Sequence, residues 1–140
     1  NNITLIPYRI DKNECIDKAF LDIDDTYEHL IIAGGDGTID IIINAMKNND
    51  IFIITHPGDK GDVYIEEIAK VAKNTDTRLE INSSHGFLNS SQLVKIKSIG
   101  NKFIIGSDAH VPQNVGNFDL AMKIVKEASV DLSLIENIKI

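Results

Sequence analysis

The chain has no tryptophan, one cysteine and three prolines in 140 residues. Aromatic residues make up only 6% of it, so its core must be built mainly from Ile, Leu, Val and Ala. A single cysteine, Cys15, excludes an internal disulfide and points to a reducing, cytoplasmic setting. In "NECIDKAF" it is expected to be structural rather than reactive. No apolar run approaches the roughly 20 residues needed to span a bilayer, so no membrane partner is expected. The first residues, "NNITLIPYR", lack the basic region and long apolar stretch of a signal peptide and read as the start of a fragment. Excess positive charge is also missing. The net charge is −7, the lysines are scattered singly, and no basic stripe offers a surface to a nucleic acid.

What is present is a regular alternation of apolar strands with amphipathic helices. The spacing predicts strands at 3–9, 29–34, 51–55, 77–82, 102–108 and 134–140. Between them it predicts helices at 12–23, 38–49, 62–75, 89–98 and 117–128. In the second helix Ile39, Ile42, Ile43 and Met46 make one stripe. In the third, Ile65, Ile68, Ala69 and Ala72 make one face behind an expected Asp62 cap. Gly100 should end the fourth. This is a single α/β domain over 1–140, a (βα)5β chain with a parallel sheet. An open, doubly wound flavodoxin- or Rossmann-like sheet is expected, with a half or closed βα-barrel as the alternative. An incomplete barrel would leave sheet edges exposed and favour a homodimer.

Crossovers of one hand bring every strand-to-helix loop to the carboxyl edge of such a sheet. The loops "GGDGT", "THPGDKG", "NSSHG" and "GSDAHVPQN" should therefore gather there. In the first, Gly34, Gly35, Asp36, Gly37 and Thr38 could wrap a phosphate with backbone N–H groups, or could form a plain tight turn. The wording "PYR" followed by "HLIIAGGDGTIDIIINAM" resembles the catalytic domain of diacylglycerol kinases and related lipid kinases. The resemblance covers about residues 1–48 and implies a nucleotide loop at Gly34–Thr38 with ATP–magnesium as cofactor. The chain departs from that family after residue 48, where "THPGDKG" replaces the expected second nucleotide loop.

The later loops carry histidines and acids. His56 ends a strand, and Asp108 and His110 form a D-x-H pair that, on an extended strand, would project to one face. Such groups suit zinc, manganese or iron, or can serve as ordinary capping residues. The segments "FIITHPGDKGDVYIEEIAKVAKNTDTRLEINSSHG" and "NKFIIGSDAHVPQNVGNFDLAMKIVKEA" resemble the carboxyl-terminal part of PHP-domain (polymerase and histidinol phosphatase) phosphoesterases. Those are distorted βα-barrels with a multinuclear metal centre. The resemblance runs from about residue 50 to 140. It implies His56, Asp108 and His110 as metal ligands, Asn82, Ser83 and Ser84 as site lining, zinc or manganese as cofactor, and a small phosphorylated molecule as substrate. The family's amino-terminal histidine pair and bridging acid have no counterpart here. His29 is expected on the surface, and the family pattern does not require His85.

Two resemblances meet near residues 46–52. The expectation is a chimera of a lipid-kinase-like and a PHP-like fragment with no intact native site. Weak metal or phosphate binding would remain at the strand carboxyl edge. A metal-dependent phosphoesterase and a nucleotide-binding fragment are the alternatives.

Overall fold

The computed structural model describes residues 30–33, 39–57 and 65–138. The expected elements at 3–9 and 12–23, together with Cys15, His29, the Gly34–Thr38 loop and Asp62, lie outside the described residues. Among the described residues four parallel strands form one open sheet: β1 (Leu30–Ala33), β2 (Ile51–Thr55), β3 (Arg78–Asn82) and β4 (Phe103–Gly106). Four described α-helices follow them in turn: α1 (Ile39–Asn48), α2 (Ile65–Asn74), α3 (Ser90–Ile96) and α4 (Asp119–Ala128).

The α/β class and the open parallel sheet agree with the sequence pattern. Strand order is sequential, β1-β2-β3-β4. Each helix packs on the next, α1 on α2, α2 on α3 and α3 on α4. The described strands therefore contain no reversal of order. Every described strand-to-helix loop opens at the same end of the sheet.

Period-2 alternation sorts β3 and β4 into two faces. Leu79, Ile81, Phe103 and Ile105 point into the core, each at most 2% exposed. They meet Ile65, Ile68, Ala69 and Ala72 of α2, Leu93 and Ile96 of α3, and Ala121, Ile124, Val125 and Ala128 of α4. These helix positions recur at three- and four-residue spacing, which is why one stripe of each helix is buried. The helix ends are locally determined. Asn89 and Gln92 form a reciprocal capping box at the start of α3. Gly100 adopts the left-handed conformation that closes the turn at Lys97–Ile99.

Two expectations are corrected. The strand expected at 102–108 stops at Gly106, because the chain turns sharply at Asp108. The strand expected at 134–140 does not form within the described residues. Leu132–Leu134 is instead a 3-10 turn, and Ile135 makes a single parallel bridge to Phe103. The reason is visible at the edge of β4. Glu136 N–H donates to the Phe103 carbonyl at 3.0 Å. The Asn137 amide then accepts from Ile105 N–H at 2.9 Å and donates to the Ile105 carbonyl at 2.8 Å. One side-chain amide carries the donor and acceptor that a further strand residue would supply, so the edge is satisfied without a strand.

The amino end of the sheet is held by charge. Arg78 bonds to Glu136 at 2.7 Å and to Asp76 at 3.1 Å, and Lys102 bonds to Asp76 at 2.7 Å. Arg78 also lies over the Phe52 ring, 4.9 Å from its centroid. The hydrogen bond from Lys102 lowers the Asp76 carboxyl below its ordinary range, and that from Arg78 lowers Glu136. Lowered carboxylates stabilise the fold above the unfolded-state range near pH 4, and that contribution is lost as pH falls through their folded values. Arg78→Met should therefore be less stable than the native chain at pH 6–7, with the gap narrowing below about pH 4. Urea unfolding of both proteins across that range checks this. A gap independent of pH would leave only the lost packing on Phe52.

Candidate functional site

The carboxyl ends of β2, β3 and β4 bring together His56, Glu80, His85 and Asp108, with His110 at the rim. Two of these residues have backbones in the left-handed region: His56 at φ 43° and Asp108 at φ 46°. Such a conformation is costly for a residue with a Cβ and persists only when its surroundings impose it. Glu80 supplies part of that constraint. Its Oε2 accepts the His56 backbone N–H at 3.0 Å and the Asn82 Nδ2 amide at 3.3 Å.

Asn82 carries the constraint into the next loop. It is fully buried, and its Oδ1 accepts from the backbone N–H groups of Ser84 at 2.9 Å and His85 at 2.8 Å. Asn82 N–H donates to the Phe87 carbonyl, and Gly86, at φ 72°, returns its N–H to the Asn82 carbonyl at 3.1 Å. An Asx-type turn thus sets the position of His85. Ser83 ties the loop to its neighbours. Its N–H donates to the Gly106 carbonyl at 2.8 Å, and its Oγ accepts from Ala121 N–H at 3.3 Å.

Asp108 is the centre of the cluster. Its Oδ2 lies 3.1 Å from His85 Nε2 and 3.5 Å from His56 Nε2. The two imidazole rings are 5.6 Å apart, tilted by 48°. His56 Nε2 is also 3.8 Å from Glu80 Oε2. Asp108 Oδ2 is shielded from solvent, yet no donor is aligned to hydrogen-bond it. A buried carboxylate oxygen without a hydrogen bond is costly and calls for a cationic partner.

The expected residues fare differently. His56 and Asp108 come together. His110 does not project beside Asp108 from an extended strand, because the left-handed turn at Asp108 breaks the alternation on which that expectation rested. The His110 side chain is 77% exposed, its Nδ1 bonds to the Asp108 carbonyl oxygen at 2.9 Å, and it stays 4.0 Å from Oδ1. Ser84 is exposed, while Asn82 and Ser83 shape the loop from below. Glu80 and His85 were not singled out from the sequence as site residues. An acid inside the apolar strand "RLEIN" was the available signal for Glu80, since a buried carboxylate needs a specific reason. His85 had only its place on the correct edge.

The donor set suits a divalent transition-metal ion, combining imidazole nitrogens with a carboxylate that lacks a hydrogen bond. Among the described residues no three acid or histidine groups already surround a common metal position. Glu80 and Asn82 orient the loops that carry His56 and His85.

No protein-family model matches the chain. Comparison with curated proteins brings out a consistent set of relatives. A probable phosphatase of Thermoanaerobacter sp. (strain X514) is 38% identical over 106 residues, which is 69% of this chain and 43% of the relative. A probable phosphatase of Clostridium novyi is 35% identical over 105 residues, with the same shares of 69% and 43%. One from Shewanella halifaxensis is 33% identical over 105 residues, covering 69% of this chain and 42% of the relative. The chain thus spans less than half the length of the curated relatives it matches. These relatives agree with the phosphatase-like part of the sequence reading and do not bear on a joint near residues 46–52. No helix among the described residues is long and apolar enough to cross a membrane.

Proposed function

We propose that this chain carries part of the site of a metal-dependent phosphoester hydrolase of the PHP type, acting on a small phosphorylated molecule. One observation carries the reading: the buried Asp108 Oδ2, without a hydrogen bond and facing the Nε2 atoms of His56 and His85. The probable-phosphatase names of the relatives support the reaction class.

On this reading Asp108 and His56 hold a zinc or manganese ion, with His110 near the mouth of the site. When bound, such an ion polarises phosphoryl oxygens and makes water a stronger acid. The chain's own residues supply the frame. Glu80 holds His56 through its backbone N–H, and Asn82 holds the 83–87 loop closed. Both His-bearing loops are tied to the same carboxylate oxygen through His56 N–H and Asn82 Nδ2. A shift in Glu80 would therefore disturb both.

The test is hydrolysis of an aryl phosphate by the full 140-residue chain with zinc or manganese, against the same protein carrying Asp108→Ala. Metal-dependent turnover that falls by about 100-fold or more in the variant is expected, since losing a group that holds the ion should cost at least as much as the roughly 10–100-fold typical of its outer-shell partners. Equal turnover in both proteins would overturn the assignment of Asp108.

A further inference from the structure

We infer that the organic part of the phosphorylated substrate is apolar, and that the start of α4 and the turn before it select it, Leu120 above all. The inference rests on the phosphoesterase reading and names the class of substrate within it.

Exposed apolar side chains are concentrated in one stretch. Among the described residues seven large apolar side chains are exposed, and five of them, Val111, Val115, Phe118, Leu120 and Met122, fall within twelve consecutive positions. Val115 is the most open, at 74%. The stretch follows β4, so it starts at the carboxyl edge where His56, His85 and Asp108 meet. Apolar surface gathered beside a few convergent polar groups is the usual make-up of a small-molecule site.

Neither the core nor the turn requires these side chains. The buried stripe of α4 is Ala121, Ile124, Val125 and Ala128, and Leu120 and Met122 lie off it. The turn before α4 is held by its own backbone. Asn114 N–H donates to the Val111 carbonyl at 3.0 Å, Val115 N–H to the Pro112 carbonyl at 3.3 Å, and Asn117 N–H to the Asn114 carbonyl at 3.1 Å. Polar residues would serve folding equally well at positions so exposed.

Leu120 is tied to the site by position. A Cβ built on Gly86 would lie 3.6 Å from Leu120 Cδ2, so this leucine runs along the residue that follows His85. Ala121 N–H fixes the approach by donating to Ser83 Oγ at 3.3 Å. Val111 follows His110, whose Nδ1 reaches the Asp108 carbonyl oxygen at 2.9 Å. An ester with its phosphate at the His56–Asp108 cluster would therefore lay its organic part against this rim. Residues 103–122 include no lysine or arginine, so the rim has no fixed cation for a second phosphate or a carboxylate.

The test compares metal-dependent hydrolysis of hexyl phosphate and glycerol 1-phosphate by the full 140-residue chain with manganese. Both are esters of simple alcohols and differ in the polarity of the organic part. The proteins are the native chain, Leu120→Asn, and Val94→Asn, which changes an exposed apolar residue on α3. Melts confirm that each is folded. Burying two methylenes is worth roughly tenfold, so kcat/KM for hexyl phosphate should exceed that for glycerol 1-phosphate by about tenfold or more, through KM. That ratio should fall by about fivefold in Leu120→Asn and hold in Val94→Asn. Equal kcat/KM for the two esters, an unchanged ratio in Leu120→Asn, or the same fall in Val94→Asn would overturn the inference and leave the phosphoesterase reading standing. A dimer that dissociates in Leu120→Asn, with the two esters hydrolysed alike, would overturn it in favour of a second copy of the chain on this face. No metal-dependent hydrolysis of either ester would overturn both.

Discussion

Phe103→Ala should lower the stability of the fold by about 3–5 kcal/mol, the cost of emptying a fully buried aromatic site. Phe103 is 0% exposed and lies at the start of β4. It pairs with Leu79 on one side and bridges to Ile135 on the other. The cavity would open where the last described segment joins the sheet, so Ile135 and the Asn137 clasp on Ile105 should loosen with it. A domain is typically stable by about 5–15 kcal/mol, so this one substitution could remove much of the margin. The urea midpoint of the metal-free protein reads the loss. Hydrogen exchange at the Ile105 amide reads the clasp. A loss below about 1 kcal/mol would mean the surroundings collapse into the space, contrary to a close-packed core.

Gly106→Ala should do damage of another kind. A Cβ at residue 106 would overlap Glu80 Oε1 and fall 3.0 Å from its Cδ. The carboxylate would have to move, although its other oxygen accepts from His56 N–H and Asn82 Nδ2. Losing those bonds in a buried position is expected to cost about 2–3 kcal/mol. The backbone turn at His56 would lose its anchor too, so zinc-induced stabilisation should fall along with the melting temperature. A double-mutant cycle isolates the cause. In a Glu80→Ala background the cost of Gly106→Ala should largely vanish. An undiminished cost there would show that something other than the carboxylate is displaced.

These two positions also show what could be read in advance. Phe103 was legible as core because it opens an apolar strand, and a period of two puts Ile105 on the same face. Gly106 falls inside the strand expected at 102–108, and nothing in the local pattern sets it apart. Its requirement comes from Glu80, 26 residues away, whose side chain runs across it from the neighbouring strand. Helix faces were legible for the same reason as Phe103. The α2 positions Ile65, Ile68, Ala69 and Ala72 follow from helical spacing, and all four are buried as the spacing requires. The expected final strand failed because an apolar-polar pattern cannot report that an Asn137 side chain will replace a strand's backbone bonds.

The amino-acid sequence by itself determined the alternation of strands and helices, the parallel sheet and the gathering of the His56 and Asp108 loops at its carboxyl edge. Local periodicity and the chirality of crossovers suffice for these. It also contained a vocabulary that pointed to phosphate chemistry. Only the tertiary structure decided which groups meet. The left-handed turn at Asp108 carries His110 to the rim, and the Asn82 turn brings His85 to the carboxylate. Those choices depend on contacts between strands distant in sequence, through Glu80 and Gly106, and no local pattern encodes them.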